Sequence, residues 1–235
     1  MKIVLESLLF IFLASFLKCF VDSRDLSFFY RRSQCEECKK TLNFFEIIPF
    51  VSFLLQRGRC KNCHKKIDIN IFLYEVFGLI VALCYVIFNE KTIFLNFFTF
   101  FSVLLLLFIS LEDVKSYEIN TKLLSILLII NVLEFHFTVE NIALIVGILF
   151  FYHALFFTTK EKIGYGDIKL FLVLALNLDI FENIYLFSFT FLYAGVFSVV
   201  LLLLKKVNRK SNLPLAPFIT LGYITILILR ELILW

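Results

Sequence analysis

Residues 97–113 read FFTFFSVLLLLFISLED. Phe97 to Leu111 carries no charge, and two acids, Glu112 and Asp113, close the run. Extended back to Thr92, the stretch approaches the roughly 20 apolar residues that a helix needs to cross about 30 Å of hydrocarbon. A second stretch ends the same kind of silence in charge. Gly164-Tyr165-Gly166-Asp167 stands before the apolar run that continues to Leu178. An acid at membrane depth is costly and marks a functional-site hypothesis. Two at one depth suggest a carboxylate pair, which splits water by general acid–base catalysis.

The rest of the chain repeats the pattern. It has 235 residues, is 61% hydrophobic and has a mean hydropathy of +0.93. Soluble chains average about 45–50% apolar, so no soluble core of this size hides so much apolar surface. The 32 Phe spread through the apolar runs and read as lipid-facing bulk. The predicted spans are 3–21, 69–88, 92–112, 119–137, 141–158, a short 167–178, 184–204 and 214–234. The expectation is an all-α polytopic membrane protein of about eight transmembrane helices. The first run resembles a signal peptide, but no small-x-small site closes it, so it reads as an uncleaved helix. No internal repeat is evident. Lys205–Leu213 is the only linker-like stretch.

Charge sets the expected orientation. With the N-terminus outside, all but Lys2, Lys91 and Arg230 of the 23 Lys and Arg fall in inner segments. Asp113 and Asp167 then share the cytoplasmic side. The net charge of +4 therefore reports topology and contact with anionic lipid. The basic residues lack aromatic interleaving, which excludes a nucleic-acid footprint.

Residues 22–68 form the one sizeable polar loop. They hold Cys35-Glu36-Glu37-Cys38 and, 21 residues on, Cys60-Lys61-Asn62-Cys63. Four thiolates in two Cys-x-x-Cys knuckles suit tetrahedral zinc. A reducing cytoplasm argues against disulfides, and redox or free thiols are the alternative. His64 reads as solvated, and Cys19 and Cys84 as inert thiols within spans. Phe44–Leu55 is too short to span and reads as interfacial or re-entrant. The chain thus divides into a first helix (1–21), a small zinc-binding lobe between spans 1 and 2 (22–68) and a seven-span membrane part (69–235). So small a loop has little core, and metal would supply much of its folding energy.

Each acid has a plainer reading. Asp113 reads alternatively as a helix-end acid at the interface, and Glu112 beside it competes for the inward position. Asp167 reads alternatively as a cap on the helix that follows. Gly164 and Gly166 permit either positive φ or the close approach of another segment. Glu75 either lines a substrate path or snorkels. Lys169, two residues past Asp167, points elsewhere on a helix and snorkels to the interface.

Taken together, these motifs resemble the prepilin peptidases, or type IV leader peptidases, of the Gly-x-Gly-Asp intramembrane aspartyl proteases. Ala14-Ser15-Phe16-Leu17 is similar to the family's opening Gly-Ser-Phe-Leu. Arg32-Ser33 with Cys35 to Cys38, Glu46-x-Ile48-Pro49, and Arg57-Gly58-Arg59 with Cys60 to Cys63 are similar to its cytoplasmic lobe. Tyr74-Glu75, Asp113 with Ile119, Gly164 to Leu170, and Pro214 to Phe218 follow in the family's order. The chain departs from the family at Ala14, at Lys18 in place of Asn, and at Asn120 in place of Pro. The resemblance implies that Asp113 and Asp167 are the catalytic pair, with Gly164 and Gly166 shaping the active-site loop. It implies Glu75, Pro214 and Pro217 along a substrate path. Its implied substrates are prepilins and pseudopilins, cut after a glycine that ends a basic leader at the inner face of a bacterial cell membrane. Structural Zn2+ at Cys35, Cys38, Cys60 and Cys63 is the reading of the knuckles themselves. Many members methylate the new N-terminus with S-adenosylmethionine, although no glycine-rich cofactor loop follows a strand here. A zinc-lobed pilus-assembly adaptor and an ion or proton pathway remain the rival readings.

Overall fold

A computed structural model describes residues 2–23, 32–35, 37–48, 51–88, 97–158, 163–205 and 212–233. Pro49, most of the Lys205–Leu213 stretch and the knuckle residue Glu36 lie outside the described residues. The described residues form ten helices and no strand. These are α1 (Lys2–Asp22), α2 (Phe44–Ile47), α3 (Val51–Leu55), α4 (Ile69–Phe88), α5 (Phe97–Ser116), α6 (Thr121–Glu134), α7 (Val139–Thr158), α8 (Tyr165–Ala175), α9 (Ile180–Leu203) and α10 (Ala216–Ile233).

A helix stands at each of the eight predicted apolar segments. Four of them, α4, α5, α7 and α9, are long and apolar enough to cross a membrane by length and composition. Helix α8 has 11 residues and α6 has 14. At 1.5 Å per residue these helices fall short of a full bilayer crossing. The 44–55 segment, read as interfacial or re-entrant, holds two short helices, α2 and α3.

The chain forms two compact units, residues 1–100 and 101–235, whose boundary falls inside α5. In the first, α1 lies along α4. A Cβ at Gly78 would come 2.5 Å from Ala14 Cβ and 3.0 Å from the Phe10 carbonyl, so glycine lets the two backbones approach. Phe10 packs edge-on to Tyr85 at 5.3 Å, and the Tyr85 hydroxyl donates to Glu6 at 2.5 Å. Helix α3 joins them through Phe53, whose ring stacks on Phe72 at 4.6 Å.

The lobe corrects the expectation that the chain has no internal repeat. Residues 33–42 (SQCEECKKTL) and 58–67 (GRCKNCHKKI) make the same hydrogen bonds, displaced by 25 positions. Cys35 and Cys60 donate their N–H to Lys40 and Lys65 carbonyls. Lys39 and His64 return N–H bonds to Cys35 and Cys60. Gln34 bridges to Thr41, and Arg59 to Lys66. Lys39 and His64 both take positive φ, 55° and 56°. The residue after each second cysteine must turn left-handed so that its N–H reaches back. A ten-residue repeat with few identities escapes inspection because backbone turns, not side chains, carry it.

In the second unit α8 is the centre. Its Ile168, Leu170, Phe171, Val173, Leu174 and Ala175 are buried. Tyr152 of α7 stacks on Phe171 at 5.1 Å. Helices α9 and α10 meet through Gly222, where a Cβ would stand 3.2 Å from Thr190 Oγ1. Asn120 explains its own departure from the family's proline. It is the N-cap of α6, and its side chain accepts the Lys122 N–H at 3.0 Å.

Candidate active site and metal centre

Of the two acids that close α5, Asp113 is the one turned inward. It is 4% exposed, whereas Glu112 pairs with Lys115 at 3.0 Å on the outer side. Asp113 Oδ2 accepts the Ala216 N–H at 3.0 Å, and the Leu215 N–H also reaches this carboxylate. Leu215 immediately precedes α10 and Ala216 opens it, at a helix start where backbone N–H groups have no helical partner. Pro214 and Pro217 flank them and carry no N–H themselves. The proline motif thus leaves two free donors, and both serve Asp113. One layer deeper, Ser110 Oγ and Thr220 Oγ1 lie 2.8 Å apart, and Thr220 also bonds the Leu106 carbonyl. That polar rung fixes α5 against α10.

Asp167 stands in the first turn of α8, with Gly164 as N-cap. Its carboxylate accepts the Gly164 N–H, the reach-back of a third-position acid. Both glycines keep ordinary φ, which decides between the two roles open to them. They serve close approach. A Cβ on Gly166 would stand 3.2 Å from Ile119 Cβ, and one on Gly164 would stand 2.9 Å from Asp167 Oδ2. Asp113 lies within electrostatic reach of Asp167. Each carboxylate therefore sits on the partly positive end of a helix, α10 for Asp113 and α8 for Asp167, which offsets their mutual repulsion. Lys169 stays apart. Its Nζ lies over the Tyr165 ring, 4.8 Å from the centroid.

The remaining site candidates lie in the first unit. Glu75 is 5% exposed and accepts from Ser15 Oγ at 3.4 Å. It lines a cavity of about 280 Å³ with Ser15, Glu46, Asp68, Cys35 and Cys60. The buried Lys18, at the family's Asn position, pairs with Asp22 at 2.7 Å and lies over the Tyr74 ring. An ion-paired ammonium thus stands where the family has an amide.

Cys35, Cys38, Cys60 and Cys63 bring their sulfurs within 4.8 Å of one another. Tetrahedral zinc with Zn–S of about 2.3 Å sets sulfurs about 3.8 Å apart, and Cys35 and Cys63 are separated by 3.8 Å. That is far beyond the roughly 2.05 Å of a disulfide. The Lys40 N–H, then the Asn62 side chain, draw the Cys38 thiol down to about 6. The Cys63 N–H, then that of Asn62, lower Cys60. Cys63 accepts the Lys65 N–H, yet desolvation and the neighbouring sulfurs push it up to about 11. Four thiolates so close cannot all ionise without a cation among them, and the donor set fits zinc. His64 is no part of the cluster, since it occupies the turn position that Lys39 fills in the other knuckle. Lys65 and Glu37 pair across the two knuckles.

The fold and these two centres define the class: a helical membrane protein with an acid held at the start of each of two helices and a four-cysteine lobe. Residues 8–88 match the bacterial peptidase A24 N-terminal domain, and residues 98–203 match the type IV leader peptidase family. The chain belongs to that family of prepilin peptidases. Neither the curated proteins nor the solved structures contain a significant match. The family makes the chain a membrane-bound protease whose substrates are, in general, prepilins.

Sequence reasoning missed Leu215 and Ala216, because a backbone donor has no side-chain signature. The prolines on either side were the available signal. It also missed Asn120 as a cap, visible only as an Asn before Thr121 in a helical pattern.

Proposed function

We propose that Asp113 and Asp167 are the catalytic dyad of a peptidase that removes the basic leader from prepilins and pilin-like proteins. The observation that carries this reading is two carboxylates from separate helices within electrostatic reach of one another, each on a helix N-terminus. One carboxylate, ionised, takes a proton from water as the oxygen attacks the scissile carbonyl. The other, protonated, donates to the carbonyl oxygen, and a proton then passes to the leaving amine. The two titrate as a unit, so the roles belong to the pair. Gly164 and Gly166 keep the approach to Asp167 free of side chains. Zinc at the four cysteines holds the lobe, with no part in hydrolysis.

The finer arrangement follows from charge and chain length. The eight apolar helices cross or enter the inner membrane of a bacterial cell, with the N-terminus outside and the zinc lobe in the cytoplasm. The short α8 then starts at a wet, protein-covered depth, where irregular backbone is tolerated. Glu75, with the acid-bearing cavity beside it, and Pro214 and Pro217 lie along the leader's path. A role in type IV pilus assembly or protein secretion follows from the substrate. Methylation of the new N-terminus would take S-adenosylmethionine as donor, and the support for that half is the family alone.

The test is incubation of membranes holding this protein with a synthetic prepilin, read by mass spectrometry. Leader loss supports the peptidase, and an added methyl group supports the second activity. Cleavage that survives both Asp113→Asn and Asp167→Asn would overturn the dyad, and no cleavage by the folded, zinc-loaded wild type would leave the adaptor reading. Proton or ion flux lost without any effect on processing would leave the pathway reading.

A further inference from the structure

A second polar network lies at the far end of α8 from Asp167. Asn177 follows that helix, and its Nδ2 donates to Asn131 Oδ1 of α6 at 2.8 Å. Asn131 is 1% exposed and gives its own Nδ2 to the Leu127 carbonyl. Arg230 of α10 donates through Nη2 to the Asn177 carbonyl at 3.4 Å. The same guanidinium grips Glu182 of α9, with Nε at 2.7 Å and Nη2 at 2.5 Å. Glu182 is itself fixed by a reciprocal cap with Asp179. One arginine therefore joins α8, α9 and α10, and Asn177 adds α6.

Its place in the chain gives the clamp a second consequence. Helix α10 holds Asp113 at one end, through Ala216, and the end of α8 at the other, through Arg230. Fourteen residues separate Ala216 from Arg230, or about 21 Å at 1.5 Å per residue. Ten separate Asp167 from Asn177, or about 15 Å. Both rods are regular helix over nearly all of these lengths. Fixing their far ends fixes the axial register of α8 against α10, and with it the gap between the carboxylates.

We infer that Arg230 is a positioning residue for the carboxylate pair. This rests on the dyad reading above. Arg230 touches no substrate; it acts through α8 and α10. Its planar fork suits two partners at once, whereas lysine offers a single point donor.

The experiment compares Arg230→Lys and Arg230→Met with the full-length protein in detergent, on a synthetic prepilin. Wild type, Asp113→Asn and Asp167→Asn are run alongside. Folded protein is quantified by size-exclusion chromatography and zinc content. The expected result is a kcat lowered about 10- to 100-fold per folded molecule, the scale of a displacement near 1 Å. KM stays near wild type, and the pH–rate profile changes shape because the coupling within the pair has changed. Wild-type kcat and profile in Arg230→Met would overturn the inference. Should Arg230→Met not fold, Arg230→Lys decides by the same measures. A separate readout needs no activity: Asp113→Cys/Asp167→Cys protein is treated with a short bis-maleimide, and the linked peptides are counted by mass spectrometry. Fewer links on adding Arg230→Met support the inference, and equal links overturn it. If wild type fails to cleave at all, the dyad reading falls, and the cross-linking still judges the clamp.

Discussion

At the residue scale, the two aspartates differ in how they are held, and each contact makes its own prediction. Asp113→Asn and Asp167→Asn should each cut leader cleavage by about 10²–10⁴-fold, the usual contribution of a positioned acid or base, with helix content and zinc unchanged. Ala216→Pro removes one N–H from the held carboxylate and puts a ring carbon in its place. Proline is tolerated at a first helical position, so α10 still forms. The N–H that Asp113 Oδ2 accepts at 3.0 Å is gone, however. A hydrogen bond to a charged group contributes about 1.5–3 kcal/mol, so kcat should fall about 10- to 100-fold while the protein still elutes as one species. Gly166→Ala tests close approach. Its Cβ would press on Ile119 at 3.2 Å, and overpacking of about 1–3 kcal/mol should lower the melting temperature together with activity. Asp113 was legible as an acid at the end of an apolar run. That it and not Glu112 faces inward depended on α10, which lies a hundred residues away.

At the element scale, the cysteine lobe is two copies of one hairpin, and each copy brings two sulfurs. Replacing one ligand, as in Cys63→Ser, should abolish zinc binding in a chelator competition assay. It should also make the lobe sensitive to protease, since the metal supplies much of its folding energy. The pH dependence has a definite sign. Cys38 and Cys60 have lowered pKa values, so their thiolate contacts stabilise the folded lobe above the ordinary thiol range and are lost as pH falls through the folded values, about 6 for Cys38. Protons compete with zinc for the same sulfurs. The zinc dissociation constant should therefore rise as pH is lowered and climb more steeply below about 6; a flat profile would count against thiolate ligation. The Cys-x-x-Cys pairs were plain in the sequence, since ligand chemistry demands that spacing. The matching turns at Lys39 and His64 were not, because left-handed backbone imposes no strict residue type.

At the scale of the whole molecule, composition alone required a membrane protein, and the charge pattern proposes its orientation. A membrane-impermeant thiol reagent should label metal-free Cys35 and Cys63 in inside-out vesicles and leave them unlabelled in intact cells stripped of their outer membrane. Labelling from the outside would reverse the topology. Eight apolar runs, two acids and four cysteines were all readable in order along the chain, because hydropathy, charge and metal-ligand spacing are local properties of sequence. Helix boundaries were close to the apolar runs for the same reason: lipid leaves the backbone few other ways to satisfy its hydrogen bonds. What the tertiary structure alone decided is which groups meet. It set the first turn of α10 on Asp113, Ile119 on Gly166, and Arg230 across Glu182 and the Asn177 carbonyl. These contacts join residues tens of positions apart through backbone donors and single methyl-sized gaps. No local pattern encodes them, because their energy depends on helices already packed side by side.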